Sequence, residues 1–175
     1  MVDPVVIGLA QSGDRKALEQ LLASVSGQLF DHIRRVARDK FLTEDILQET
    51  LYTICRRLPS LRDPRWFRAW AYRIATRQAL RRAKGERFWT DAAREETLET
   101  LREDSEVERF DPELIAALGE ALDRVPRASQ LVLRMHYLDE LTYEEIAEAL
   151  EIPSGTAKSR AAYGLRFLRE SFRPA

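Results

Sequence analysis

Apolar residues recur every three or four positions along almost the whole chain, and no stretch shows the sustained apolar-polar alternation of a strand. That period predicts an all-α protein. In the first half the pattern predicts helices at about 15–24, 27–38, 43–57 and 64–84, the last opened by Asp63-Pro64. The carboxylate can cap there, and proline at the first helical position forfeits no hydrogen bond. Leu47, Leu51, Ile54 and Leu58 share one face of the third helix, and Phe67, Trp70, Ala71 and Ile74 one face of the fourth. Both stripes are expected to be buried, with Trp66 left open. Asp111-Pro112 repeats the start signal, and helices are predicted at about 112–124, 127–137, 143–150 and 155–172.

Residues 86–112 break this regularity, being acidic and poor in large apolar groups apart from Phe88, Trp89 and Phe110. They read as a linker, with a transient helix between 91 and 103. The expected organisation is therefore two small helical domains, 1–85 and 113–175, joined by an acidic linker at 86–112.

The most informative run in the second domain is "LTYEEIAEALEIPSGTAKSRAAYGLRFLRE". Thr142 and Glu145 have capping-box spacing, and Ile146, Ala147 and Leu150 form the stripe of a two-turn helix. A tight turn at 151–154 follows, then a helix expected to bury Ala157, Ala161, Leu165 and Leu168. Small alanines at 147, 157 and 161 let two helices cross closely, which is helix-turn-helix geometry. In such a unit the second helix enters the DNA major groove amino end first, where free amides and the dipole favour a phosphate. Gly155 and Thr156 permit close approach, while Lys158, Ser159, Arg160 and Tyr163 are expected to project. Hydroxyls suit phosphate contacts, and arginine can pair with guanine. A plain helical hairpin packed against protein is the alternative.

Charge sharpens this picture. The 175 residues carry a net charge of -1, yet Arg56 to Lys84 holds ten cations against the lone acid Asp63, and the following segment reverses the balance. Arg73, Arg77 and Arg81 lie at four-residue intervals, where like charges repel unless a polyanion relieves them. Two solvated helical faces would be the plainer explanation. The single cysteine, Cys55, excludes an internal disulfide and is expected to be a buried thiol; His32 and His136 stand far apart, so neither a metal site nor any cofactor is implied. No phosphate-cradling glycine loop, nucleophile with a base, or ligand cluster suggests an enzyme. No apolar run reaches the roughly 20 residues of a membrane span. The start MVDPVVIGLA lacks the basic n-region and long apolar core of a secretion signal. A cytoplasmic protein without membrane insertion is expected.

The run "LTYEEIAEALEIPSGTAKSR" resembles region 4 of extracytoplasmic-function (ECF) sigma factors, the dissociable promoter-specificity subunits of bacterial RNA polymerase. "TEDILQETLYTICRRL" and "WFRAWAYRIATRQALRR" resemble region 2 of the same family, in the right order. The paired match is far more specific than a helix-turn-helix alone. The resemblance implies that Asp45, Gln48, Glu49 and Tyr52 dock on core RNA polymerase. It implies that Arg65, Trp66, Arg68, Arg73, Arg77, Arg81 and Arg82 serve the minus-ten element, where cations neutralise phosphates and aromatics stack on unpaired bases. Thr142, Thr156, Lys158, Ser159, Arg160 and Tyr163 would serve the minus-thirty-five element. An anti-sigma factor is implied as a further partner beside promoter DNA. The chain departs from the family at Arg77 and Arg81, where asparagine and aspartate are common, and at Ala157, where valine is common. Two other readings stay open: a helix-turn-helix regulator whose first domain dimerises or senses a ligand, and a sigma-like adaptor that titrates an inhibitor.

Overall fold

The computed structural model describes residues 3–83 and 112–172, and among these residues there are eight α-helices and no strand. The linker with its transient helix, the Asp111 cap and Lys84 lie outside the described residues. By contacts the chain forms two compact units. The first takes in the helices up to residue 83 together with Glu144–Glu151; the second takes in the remainder of the C-terminal half.

The first unit opens with a helix the periodicity did not reveal, α1 at Pro4–Gln11, capped by the Asp3 side chain on the Val5 amide. Asp3-Pro4 is the same cap-then-proline signal used elsewhere; eight residues were too few to display a period. Gly13 then turns the chain at φ 96°, a conformation that suits only glycine without strain. The predicted pair of helices at 15–24 and 27–38 is a single helix, α2, Arg15–Ala37. Ala17, Leu21, Val25, Leu29 and Ile33 bury one uninterrupted stripe, while Gly27 faces solvent. Continuous packing of that stripe outweighs the small propensity cost of Ser26-Gly27.

Helix α3, Lys40–Arg57, starts three residues before the expected Thr43, because the Asp39 carboxylate accepts from the Phe41 and Leu42 amides. Thr43 lies inside the helix, its hydroxyl donating to the Asp39 carbonyl. The buried seam is Thr43, Ile46, Thr50 and Ile54, rotated from the expected stripe; Leu47 and Leu51 flank it half-buried, and so does Cys55. Thr43 and Thr50 were hidden from a hydropathy reading because their hydroxyls are satisfied locally or by α4. After two one-turn 3-10 helices, Leu58–Ser60 and Pro64–Trp66, α4 runs Phe67–Arg82. The Pro64 signal thus opens a 3-10 turn first. Phe67, Trp70, Ala71 and Ile74 are buried as expected.

Helix α2 packs against α1, α3 and α4, and α3 packs against α4. Each fully buried Leu or Ile contributes about 1.5–3 kcal/mol. Polar groups specify the register. His32 Nε2 lies 2.9 Å from Thr76 Oγ1, and Gln78, inside α4, takes the Thr50 hydroxyl on its carbonyl while donating to Thr53 Oγ1 at 3.1 Å. Gln11 reaches from α1 to the carbonyls of Leu58 and Leu61, holding the turn that precedes α4.

In the C-terminal half, α5 spans Pro112–Arg124, α6 Arg127–Tyr137, α7 Tyr143–Leu150 and α8 Ser154–Ser171. Gln130 on α6 donates to the Leu122 carbonyl at 2.6 Å, and Arg134 meets Asp123 at 3.1 Å, fastening α6 to α5. Helices α6 and α8 pack closely at Gly164, where a β-carbon would lie 2.6 Å from Leu133 Cδ1. Ile146, Ala147, Leu150, Ala157 and Ala161 are buried; Leu165 and Leu168 are only half-buried, since Ala161, Ala162 and Gly164 make the closest seam.

Candidate nucleic-acid interface

Two surfaces collect the residues singled out by sequence. On α3, Asp45, Gln48 and Tyr52 are exposed on the side away from the Ile46–Ile54 seam. Glu49 turns instead toward α4, its carboxylate 3.1 Å from the Arg82 guanidinium. A residue expected to dock protein and one expected to touch DNA are therefore partners in one domain.

The turn before α4 is built around Asp63. Its carboxylate accepts from the Arg65 amide at 3.0 Å and from the Arg65 guanidinium at 2.7 Å. Those bonds, the side-chain one foremost, hold the Asp63 carboxyl below its ordinary range and raise Arg65. Beside them Trp66 stays 40% exposed although Phe67 and Trp70 are buried. An accessible indole flanked by cations is what an unpaired base could stack upon. Arg68 is half-buried with its guanidinium 5.9 Å from the Tyr72 ring centre. Arg73 meets Glu148 at 3.2 Å and Glu151 at 3.5 Å, and Arg77 also pairs with Glu151. Arg81 is exposed. The arginine row is thus present, with Arg65, Arg68, Arg73, Arg77 and Arg82 engaged by protein groups.

The second surface is the start of α8. Glu151 adopts the left-handed conformation at φ 55°, directly after the end of α7. Pro153 supplies no side-chain cap, and its carbonyl receives the Thr156 and Ala157 amides. Ser154, Gly155 and Lys158 are exposed; Thr156, Ser159 and Tyr163 are half-buried, with Ser159 Oγ donating to the Thr156 carbonyl at 3.1 Å. Thr142 is exposed directly before α7. Arg160 departs from expectation. It was expected to project and is 5% exposed, because its position shares the face of Ala157, Ala161 and Gly164 that packs inward. Arg166 was overlooked: it is exposed and sits 5.4 Å from the Tyr163 ring centre, on the face of Ser159. Its three-residue spacing from Tyr163 was the available signal.

Among the described residues, no group of His, Cys, Asp and Glu could hold a metal ion, and no helix is long and apolar enough to cross a membrane.

Two family models match the chain: "Sigma-70 region 2" over residues 21–88 and "Sigma-70, region 4" over residues 115–168. The chain is 29% identical over 170 residues to the ECF RNA polymerase sigma-E factor of Escherichia coli (strain K12), covering 91% of this chain and 88% of the relative. The corresponding factor of Salmonella typhimurium gives the same figures. That of Haemophilus influenzae is 25% identical over 185 residues, covering 99% of this chain and 97% of the relative. The solved structure of CnrH in complex with the cytosolic domain of CnrY shares the fold, with a TM-score of 0.70 at 21% identity over 96% of this chain and 95% of that one.

Proposed function

The chain belongs to the extracytoplasmic-function sigma factors of bacterial RNA polymerase, and from that premise we propose how its residues divide the work. As a sigma factor it directs core RNA polymerase to specific promoters and assists DNA opening. In the proposed division, residues 1–85 bind core and the minus-ten element, 86–112 link, and 113–175 bind the minus-thirty-five element. Asp45, Gln48 and Tyr52 on α3 form the docking surface. Trp66 offers a platform for an unpaired base while Arg65 and Arg81 neutralise nearby phosphates. Lys158, with Thr156, Ser159 and the exposed amides of Ser154 and Gly155, contacts phosphates at the minus-thirty-five element, and Thr142 and Tyr163 flank it.

Bond chemistry stays with the polymerase in this reading, and the chain works in the cytoplasm. The solved CnrH structure is a complex with the cytosolic domain of CnrY. For this chain an anti-sigma factor that covers the DNA-binding residues is proposed as a partner.

The observation that carries this reading is the exposed Asp45, Gln48 and Tyr52 surface in the same compact unit as the arginine-bearing α4. Added to core polymerase, the purified chain should co-elute and start transcripts from a cognate promoter. Asp45→Lys should abolish co-elution and leave the melting temperature unchanged, since the side chain is exposed. Co-elution of that variant at full strength would remove the docking surface from α3.

A further inference from the structure

Glu49 and Arg82 take neither a docking nor a DNA-binding part in the proposed division, because each holds the other. The Glu49 carboxylate lies 3.1 Å from the Arg82 guanidinium, and the two side chains keep 38% and 50% of their surface in solvent. Their backbones are better fixed than their charged ends. The Glu49 carbonyl accepts from Thr53 Oγ1 at 2.7 Å and from Gln78 Nε2 at 3.4 Å, beside the buried Thr50–Gln78 bond that fastens α3 to α4. Arg82 stands one turn beyond Gln78 on the same face of α4. The pair is two movable heads on a rigid seam.

Each group also borders the surface its charge would serve. Glu49 follows Asp45 by four residues and precedes Tyr52 by three, so its head can turn along α3 toward the docking residues. Arg82 follows exposed Arg81 at the end of the arginine row, where a phosphate is the natural partner of a guanidinium. A surface ion pair of this kind favours its closed state by only about two- to fivefold. A basic group on one side and a phosphate on the other can exchange it, and every charge is paired before and after.

We propose that Glu49 is a positioning residue that couples core docking to minus-ten binding. In the uncomplexed chain its carboxylate neutralises Arg82; when core draws the carboxylate onto the α3 surface, the guanidinium is released to a DNA phosphate. This rests on the reading that α3 docks core and α4 meets DNA, and it adds the group that connects the two. Because linkage is reciprocal, DNA that takes Arg82 raises the affinity for core by the same factor.

The test measures binding of a single-stranded oligonucleotide carrying the minus-ten element of a cognate promoter, by the full chain alone and by the holoenzyme at saturating core. Alone, Arg82→Ala should bind like wild type, because its charge is already neutralised. Glu49→Gln should bind about two- to fivefold tighter at low salt and steepen the dependence of log K on log salt by about 0.7, one phosphate's share for a single strand. Combining Glu49→Gln with Arg82→Ala should abolish both gains. In the holoenzyme, Arg82→Ala should flatten the slope by about 0.7 and Arg82→Lys should keep it. Wild-type affinity of Glu49→Gln in the uncomplexed chain would overturn the coupling, and so would a gain that persists without Arg82, which would be a general effect of charge. An equal loss from Arg82→Ala in chain and holoenzyme would also overturn it, leaving Arg82 a plain DNA contact. No loss in either, alongside failed co-elution of Asp45→Lys with core, would remove Arg82 from DNA and leave the docking reading intact; full co-elution of that variant would overturn both.

Discussion

Arg160 carries a guanidinium and is nonetheless buried in α8, on the face of Ala157, Ala161 and Gly164. A charge so placed supports the fold through its stem and its bonds more than it reads a base. Arg160→Ala is expected to cost about 1–3 kcal/mol of stability in thermal denaturation and to impair all promoters alike. An unchanged melting curve, with loss confined to one upstream base, would return it to the reading surface. Asp63 offers a second residue-level test. Its carboxyl is held below the ordinary range by Arg65, so the cap is intact above that range and is lost as pH falls through the lowered value. A carbon-detected titration of Asp63 should show that depressed midpoint, and Arg65→Ala should move it upward. Residue types and their chemistry were legible from the chain; which of them face solvent was not. Trp66 and Phe67 are neighbouring aromatics, and only packing leaves one exposed and puts the other in the core.

Elements were read most securely where the apolar stripe was long. Helices α5 to α7 kept the expected bounds, and α8 began one residue early, at Ser154. The errors have physical causes. A stripe continuing from Val25 to Leu29 joined two expected helices, and buried threonines on α3 displaced the seam that leucines alone suggested. The α6–α8 contact makes a further point about elements. A β-carbon on Gly164 would come within 2.6 Å of Leu133 Cδ1 and 3.2 Å of its Cγ, and Leu133 is itself buried. Gly164→Ala should therefore destabilise the protein by about 1–3 kcal/mol through overpacking. Leu133→Ala is itself destabilising, but the double variant should lose less than the sum of the two single losses, and full additivity in that double-mutant cycle would show that the two positions do not meet.

For the whole molecule, the net charge of -1 is a poor guide to partners, because cations and acids are segregated along the chain. Promoter affinity of the reconstituted holoenzyme should fall steeply with salt. Lys158→Ala should flatten the dependence of log K on log salt by about 0.9, one phosphate's share, with equal losses on every sequence. An unchanged slope would place Lys158 away from phosphates. The sequence by itself determined the helical class and the kind of chemistry on offer, because periodicity, caps and composition are local properties of the chain. Only the tertiary structure decided which charged groups are available. Glu49 meets Arg82 across 33 positions, Arg160 is enclosed and Phe41 is not. Burial and pairing depend on neighbours that folding brings from elsewhere in the chain.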